Sequence, residues 1–383
     1  MRRIAVFTGN RAEYGLLFPI IRAMRERGDL DVRLVASGAH MSPEFGLTVA
    51  EIREDGLELA RTVDLGVSGT DAKAQTESLA RAIAVFSEVL TALKPDISLV
   101  YADRMEGFAA VIASFEMNVP VAHVEGGDLT EGGTHDDSVR HAMTKLAHLH
   151  FTTSEDAAER VRRLGEEPWR VVVAGLPTLD SVARKDFLPP QEIHAQFGFD
   201  PARPVLVFTQ HPVSTEPERA GEQAAESLEA LKAVGEQTVI TYPNSDPGSR
   251  AIIDAFDGYR DVRHFQFHKS LGRRRYLGLL NVAAVVVGNS SSGIKETPSF
   301  GIPCVNVGSR QDGRLRAENV IDVPYDRAAI AASVRRALTD EAVRDRARRC
   351  RHPYGEGRCG EIIAAALASV ELGPRLLRKR MTY

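Results

Sequence analysis

Carboxylates and arginines recur in three short clusters of this sequence. They are Asp103-Arg104, His123-Val124-Glu125-Gly126-Gly127-Asp128 and Asp136-Asp137-Ser138-Val139-Arg140-His141. A positioned carboxyl group moves protons as general acid or base, and an arginine holds an oxyanion with a fork of N–H donors. Gly126 and Gly127 allow the backbone to approach closely right beside a carboxylate. Asp136 reads as an N-cap opening a helix, which would set it and Arg140 near one face of the first turn. Taken singly, Asp136 can be a plain cap, and Asp103 and Glu125 can be structural ion pairs. Together, the carboxylates Asp103, Glu125 and Asp136 with Arg104 and Arg140 form a candidate acid–base cluster.

Other stretches suit an anion. Gly9-Asn10-Arg11-Ala12-Glu13-Tyr14-Gly15 leads into a helix, and Arg11 there can hold a phosphate at the positive helix end or be an ordinary surface arginine. The stretch lacks the G-x-G-x-x-G pattern, which weakens the case for a dinucleotide dehydrogenase. His211 stands in Gln210-His211-Pro212. Gly288-Asn289-Ser290-Ser291-Ser292-Gly293 precedes another helix start, either as a phosphate cradle of N–H groups and hydroxyls or as a serine-rich cap. Glu296 either binds the hydroxyls of a ribose or stabilises that helix's first turn.

These residues fall where strands should end. Apolar runs predict strands at Ile4–Thr8, Val32–Ala36, Ile97–Tyr101, Val119–Val124, His150–Thr153 and Val171–Ala174. Between them, helices are predicted near Tyr14–Arg27, Thr76–Leu93, Met105–Phe115, Asp137–His148 and Glu155–Leu164. In the second helix Leu79, Ile83, Phe86, Leu90 and Leu93 share one face. After Phe187-Leu188-Pro189-Pro190 the pattern restarts, with strands at Val205–Thr209, Thr238–Thr241, Val262–Phe267, Ala284–Val287 and Cys304–Val307. Repeated βα units with apolar strands predict an α/β protein of two Rossmann-like, doubly wound parallel-sheet domains facing a cleft. Ligands of such sheets bind beyond the carboxyl ends of the strands. The expected division is 1–186, 187–365 and a C-terminal helix and tail, 366–383, packing back on the first domain.

Composition narrows the partners. Lys+Arg 48 against Asp+Glu 52 gives a net charge of −4, which argues against a general nucleic-acid binder while permitting one phosphorylated small molecule. Arg375–Arg380 reads as a solvated helix end. No apolar stretch reaches the ~20 residues of a membrane span, so a cytoplasmic protein is expected. Cys304, Cys350 and Cys359 show no metal-ligand spacing and read as reduced thiols.

The motifs as a set resemble the hydrolysing UDP-N-acetylglucosamine 2-epimerases. Those carrying the resemblance are Thr8–Gly15, Asp103-Arg104, His123–Asp128, Asp136–Ala142 with Thr144-Lys145-Leu146, Gln210-His211-Pro212, Tyr242-Pro243-Asn244, Gly288–Gly293 and Gly308-Ser309-Arg310-Gln311. The match runs from residue 4 to about 358. It implies a GT-B fold with the active site in the cleft between the domains, chemistry without metal or cofactor, and release of UDP with free N-acetylmannosamine. It also implies Asp103, Glu125 and Asp136 as catalytic carboxylates, Arg104 and Arg140 near the sugar, and His211 at the reacting end of the nucleotide. Arg11, His211, Asn244, Ser290, Ser291, Ser292, Gly293, Glu296 and Arg310 match positions that hold nucleotide and phosphates. The Asp136-Asp137 doublet admits two registers, and Asp136 is chosen by anchoring on Arg140-His141. Some relatives use GDP-linked or 4-acetamido-6-deoxy sugars, others do not hydrolyse, and a GT-B glycosyltransferase would bind the same donor. A homodimer or homotetramer is expected.

Overall fold

The computed structural model describes residues 1–41, 47–65, 72–130, 134–213, 215–243 and 246–383. The chain forms two compact units. The first comprises Met1–Asp128, Asp136–Ser181 and Tyr354–Tyr383, and the second Leu129–His135 and Val182–Pro353.

The first unit is built on a seven-stranded sheet of β1 (Arg2–Thr8), β2 (Leu30–Ser37), β3 (Leu59–Val63), β4 (Ile97–Tyr101), β5 (Val121–Val124), β6 (Leu149–Thr152) and β7 (Val171–Val173), in the order β3-β2-β1-β4-β5-β6-β7. Every pairing is parallel. Side chains alternate between two apolar layers: Ile4 and Val6 pack with Leu17 and Ile363 on one face, Ala5 and Phe7 with Phe86 and Ala110 on the other. Both faces are covered, so the strands read as apolar runs without polar alternation.

The second unit repeats the plan with β8 (Val205–Thr209), β9 (Gln237–Thr241), β10 (Phe265–His268), β11 (Val285–Gly288), β12 (Cys304–Val307) and β13 (Val320–Val323), ordered β10-β9-β8-β11-β12-β13 and all parallel. In each sheet the order reverses once, between β1 and β4 and between β8 and β11. These are the switch points where parallel sheets leave room for a ligand.

Sequence patterning overlooks β3 and β13, both edge strands with exposed residues such as Arg61, Thr62 and Asp322. An edge strand has one neighbour and need not be apolar on both faces. Residues 354–365, expected with the second half, belong to the first unit. There Asp180 accepts the N–H groups of Cys359 and Gly360 at 2.8 and 2.7 Å, capping helix Cys359–Ser369. The basic tail is not a solvated end. Buried Arg170 donates to the carbonyls of Leu376, Arg375 and Arg378, Arg375 stacks on the Trp169 ring at 4.8 Å, and Lys379 pairs with Glu166 at 2.8 Å. Burial alone would raise the Glu166 carboxyl; His150, Lys379 and Lys145 outweigh it and hold it at about 2.

Among the described residues no helix is long and apolar enough to cross a membrane, and no His/Cys/Asp/Glu group could hold a metal ion. The three cysteines are unpaired.

Candidate active site

At the carboxyl edge of β4 and β5 the chain leaves the sheet in strained turns. Ala102 has φ +52° and Glu125 φ +67°, the left-handed region that non-glycine residues rarely adopt. Neighbours hold Glu125 there. Its N–H donates to the Phe151 carbonyl at 2.8 Å, and its Oε2 accepts from the buried Tyr101 hydroxyl. Burial and then the Glu125 charge push the Tyr101 hydroxyl well up, so it stays a protonated donor. Gly127, at φ +80°, has no room for a side chain, because a Cβ would fall against the Ala157 carbonyl. Tyr101 carries no signal in the sequence beyond that of a core strand aromatic.

Arg140 is the electrostatic hub. Only 2% exposed, it donates through Nη2 to Asp103 Oδ2 and through Nη1 to Asp137 Oδ1 at 2.6 Å and the Asp128 carbonyl at 2.8 Å. Burial works to discharge it, but Asp103, Asp128, Glu125 and Asp137 outweigh burial and raise its pKa. Asp128 is anchored by the Thr153 hydroxyl at 2.5 Å. The helix expected to begin at Asp136 or Asp137 spans Thr134–Leu146, so Asp136 is not its N-cap; both aspartates lie in the first turn. Asp137 lies three residues before Arg140 on this helix, the spacing of their bond. Arg104 is the N-cap of helix Met105–Glu116, one residue past Asp103.

His123 supports this edge without titrating near neutrality. Fully buried, it is pushed down to about 3 by desolvation, donating through Nε2 to the Ala102 carbonyl at 2.7 Å and bonding Thr144 through Nδ1 at 3.1 Å.

Arg11 opens helix Arg11–Arg27 at the end of β1, and burial lowers its pKa. Two carboxyl groups overlooked in the sequence lie at the same strand end, against Gly9. Glu13 Oε2 accepts the Gly9 N–H at 2.5 Å, while its Oε1 is buried with no hydrogen-bond partner among the described residues. Glu106 fills the space that side chains at Gly9 and Gly38 would need. Burial, with the Glu106 charge adding to it, raises Glu13 to about 8, although the Gly9 N–H and Arg104 pull the other way. The folded chain therefore keeps a proton on Glu13 that the unfolded chain loses above about pH 4.3, and this contribution to stability fades as pH rises through about 8. Glu13→Gln removes the titration. Its stability relative to wild type should improve between pH 5 and pH 8 by on the order of 1 kcal/mol or more. Unfolding followed by the fluorescence of Trp169, the one tryptophan of the sequence, measures this in the first unit. A difference that does not change with pH would remove the assignment.

In the second unit, His211 follows β8 and the serines follow β11. Ser290 Oγ accepts from the Ser292 N–H at 3.4 Å, and Ser291 is the N-cap of the four-residue helix Ser292–Lys295. Ser292 Oγ accepts from the Tyr276 hydroxyl at 2.7 Å and donates to Glu296 Oε2. Glu296 is thus tied within its own turn, with its carboxylate anchored by Ser292. Gly293 packs against β12, where a Cβ would meet Cys304 Sγ at 2.7 Å. Arg310, after β12, donates to the Asn289 carbonyl at 3.2 Å. Asn244 lies outside the described residues.

Two all-parallel Rossmann-like sheets with chemistry gathered at their carboxyl edges define the GT-B class of fold. Residues 22–368 match the family described as UDP-N-acetylglucosamine 2-epimerase, and the chain belongs to that family. It is 32% identical over 383 residues, covering 100% of both chains, to the UDP-N,N'-diacetylbacillosamine 2-epimerase (hydrolyzing) of Legionella pneumophila. It is 32% identical over 324 residues, 84% of each chain, to the GDP/UDP-N,N'-diacetylbacillosamine 2-epimerase (hydrolyzing) of Campylobacter jejuni. The crystal structure of UDP-GlcNAc 2-epimerase from Neisseria meningitidis bound to UDP-GlcNAc has the same fold, with TM-score 0.81 at 20% identity over 96% of this chain and 99% of that one.

Proposed function

We propose that this protein is a hydrolysing 2-epimerase, converting UDP-N-acetylglucosamine or its 2,4-diacetamido analogue to UDP and the free 2-epimeric sugar. The observation that carries the reading is the gathering of Asp103, Glu125 and the Asp136-Asp137 turn with Arg140 at one sheet edge. The names of the two 32% identical relatives support it.

A C2 proton beside an acetal carbon is a weak acid, so its removal needs help from C1. One carboxylate takes the C2 proton as the C1–O bond breaks and the electron pair leaves with UDP. The product of this step is a 2-acetamidoglucal. Water then adds its hydroxyl to C1, and C2 is protonated from the opposite face. Removal and return on opposite faces require two differently placed groups, which accounts for more than one carboxylate. We assign these roles among Asp103, Glu125 and Asp136, with Asp137 as counter-ion of Arg140 and Arg104 beside the sugar. Negative charge grows on the leaving diphosphate, and fixed cations and N–H groups stabilise it best where it grows. We assign this to Arg11, His211, Arg310 and the Ser290–Gly293 segment, with Asn244 and Glu296 on the nucleoside.

The test is turnover of UDP-N-acetylglucosamine and UDP-N,N'-diacetylbacillosamine in deuterated water, followed by proton NMR. Free epimer carrying deuterium at C2, with UDP, is expected from one or both. Intact UDP-linked epimer would make the enzyme non-hydrolysing. Transfer to an acceptor without deuterium would make it a glycosyltransferase.

A further inference from the structure

Asn289 is assigned no part in the chemistry proposed above, yet it joins two of the residues that have one. It stands one step past β11, the strand flanked by β8 and β12, so it lies beside the carboxyl ends of both neighbours. Gly288, at φ +117°, makes the turn, and a Cβ there would fall against the Thr209 carbonyl. The turn aims the Asn289 N–H at that same carbonyl, 3.1 Å away.

The Asn289 side chain is fully buried and grips the main chain of His211 from both sides. Its Oδ1 accepts the His211 N–H at 2.7 Å, and its Nδ2 donates to the His211 carbonyl at 2.9 Å. Only an amide, with donor and acceptor side by side, satisfies both groups, and only one orientation of it does so. On the opposite flank the Asn289 carbonyl accepts from Arg310 Nη1 at 3.2 Å and from the buried Gln311 Nε2 at 2.8 Å. One residue thus holds a histidine and an arginine from two separate loops in a single hydrogen-bonded frame.

We infer that Asn289 is the positioning residue that sets His211 and Arg310 at a fixed spacing to receive the leaving diphosphate. The inference rests on the reading of those two residues as nucleotide-handling groups. A merely structural asparagine would satisfy the same buried backbone groups, but its loss would then lower stability without acting through His211. A site loosened by about an ångström loses catalysis out of proportion to stability.

A double-mutant cycle separates these cases. Asn289→Ala in the full chain should weaken UDP binding, measured calorimetrically, by about tenfold or more and lower kcat similarly. In the His211→Ala background the same substitution should cost less than about twofold, since the imidazole that the side chain positions is gone and Arg310 is held by the Asn289 main-chain carbonyl, which alanine keeps. Equal losses in both backgrounds, or no loss in the wild-type background, would overturn the inference. Should Asn289→Ala not fold, Asn289→Asp carries the same cycle, keeping the acceptor and the shape while losing the donor. If His211→Ala and Arg310→Ala by themselves left UDP affinity and turnover unchanged, the reading of those residues would be at fault, an outcome the cycle reports separately.

Discussion

Glu125→Gln is expected to lower turnover by about 10²- to 10⁴-fold, the range in which a positioned acid or base works. The loss should be confined to chemistry. Glutamine has the same shape, its Oε1 can still accept from Tyr101, and the strained turn at φ +67° is held by the bond from the Glu125 N–H to Phe151. UDP affinity should therefore stay within about threefold of wild type while kcat collapses, the pattern of a group that acts on the transition state. Steady-state UDP release, with calorimetric UDP binding beside it, gives both numbers. Turnover near the wild-type level would remove Glu125 from the chemistry and leave it as a structural anchor of β5. Asp136→Asn and Asp137→Asn, measured in parallel, separate the two registers. Loss of kcat alone is expected at Asp136, and loss of stability as well at Asp137, the partner of Arg140.

Arg140→Met should destabilise the first unit by about 3–5 kcal/mol, the usual cost of removing one partner from a buried ion pair. The side chain is 2% exposed, and four carboxylates act on it, with Asp103 and Asp137 in direct contact. Without the guanidinium, those negative charges face one another in a low dielectric. Protonation in acid removes that repulsion. The deficit of the variant should accordingly shrink below about pH 4 and be full at neutrality. Denaturant unfolding monitored by Trp169 fluorescence reads the first unit alone, which avoids treating two units as one transition. A deficit under about 1 kcal/mol at pH 7 would show that the carboxylates are hydrated and that Arg140 is not their necessary counter-charge.

Much of the architecture was legible in local patterning. Ile97–Tyr101, Val205–Thr209 and Cys304–Val307 form strands at the bounds their apolar runs suggest, because central parallel strands are covered on both faces. The carboxylates after β4 and β5 were legible as a group because such sheets place ligands beyond their carboxyl ends. Two carboxyl groups of the same edge were not. Glu13 and Glu106 sit in helical sequence, where a glutamate is normally a solvated surface residue; Glu106 fits because positions 9 and 38 are glycines, and Glu13 is held by the Gly9 N–H.

Periodicity was enough for two wound parallel sheets, since strand and helix periods are local properties of the chain. Which atoms meet was decided by packing. Arg140 finds Asp103 across 37 residues and Tyr101 finds Glu125 across 24, through the side-by-side placement of β4, β5 and the helix that follows. Asp137 reaches Arg140 three residues along helix Thr134–Leu146. Asn289 likewise reads as one more polar residue before three serines. Its grip on His211 spans 78 residues and exists because β11 lies between β8 and β12, a neighbour relation that no local pattern encodes.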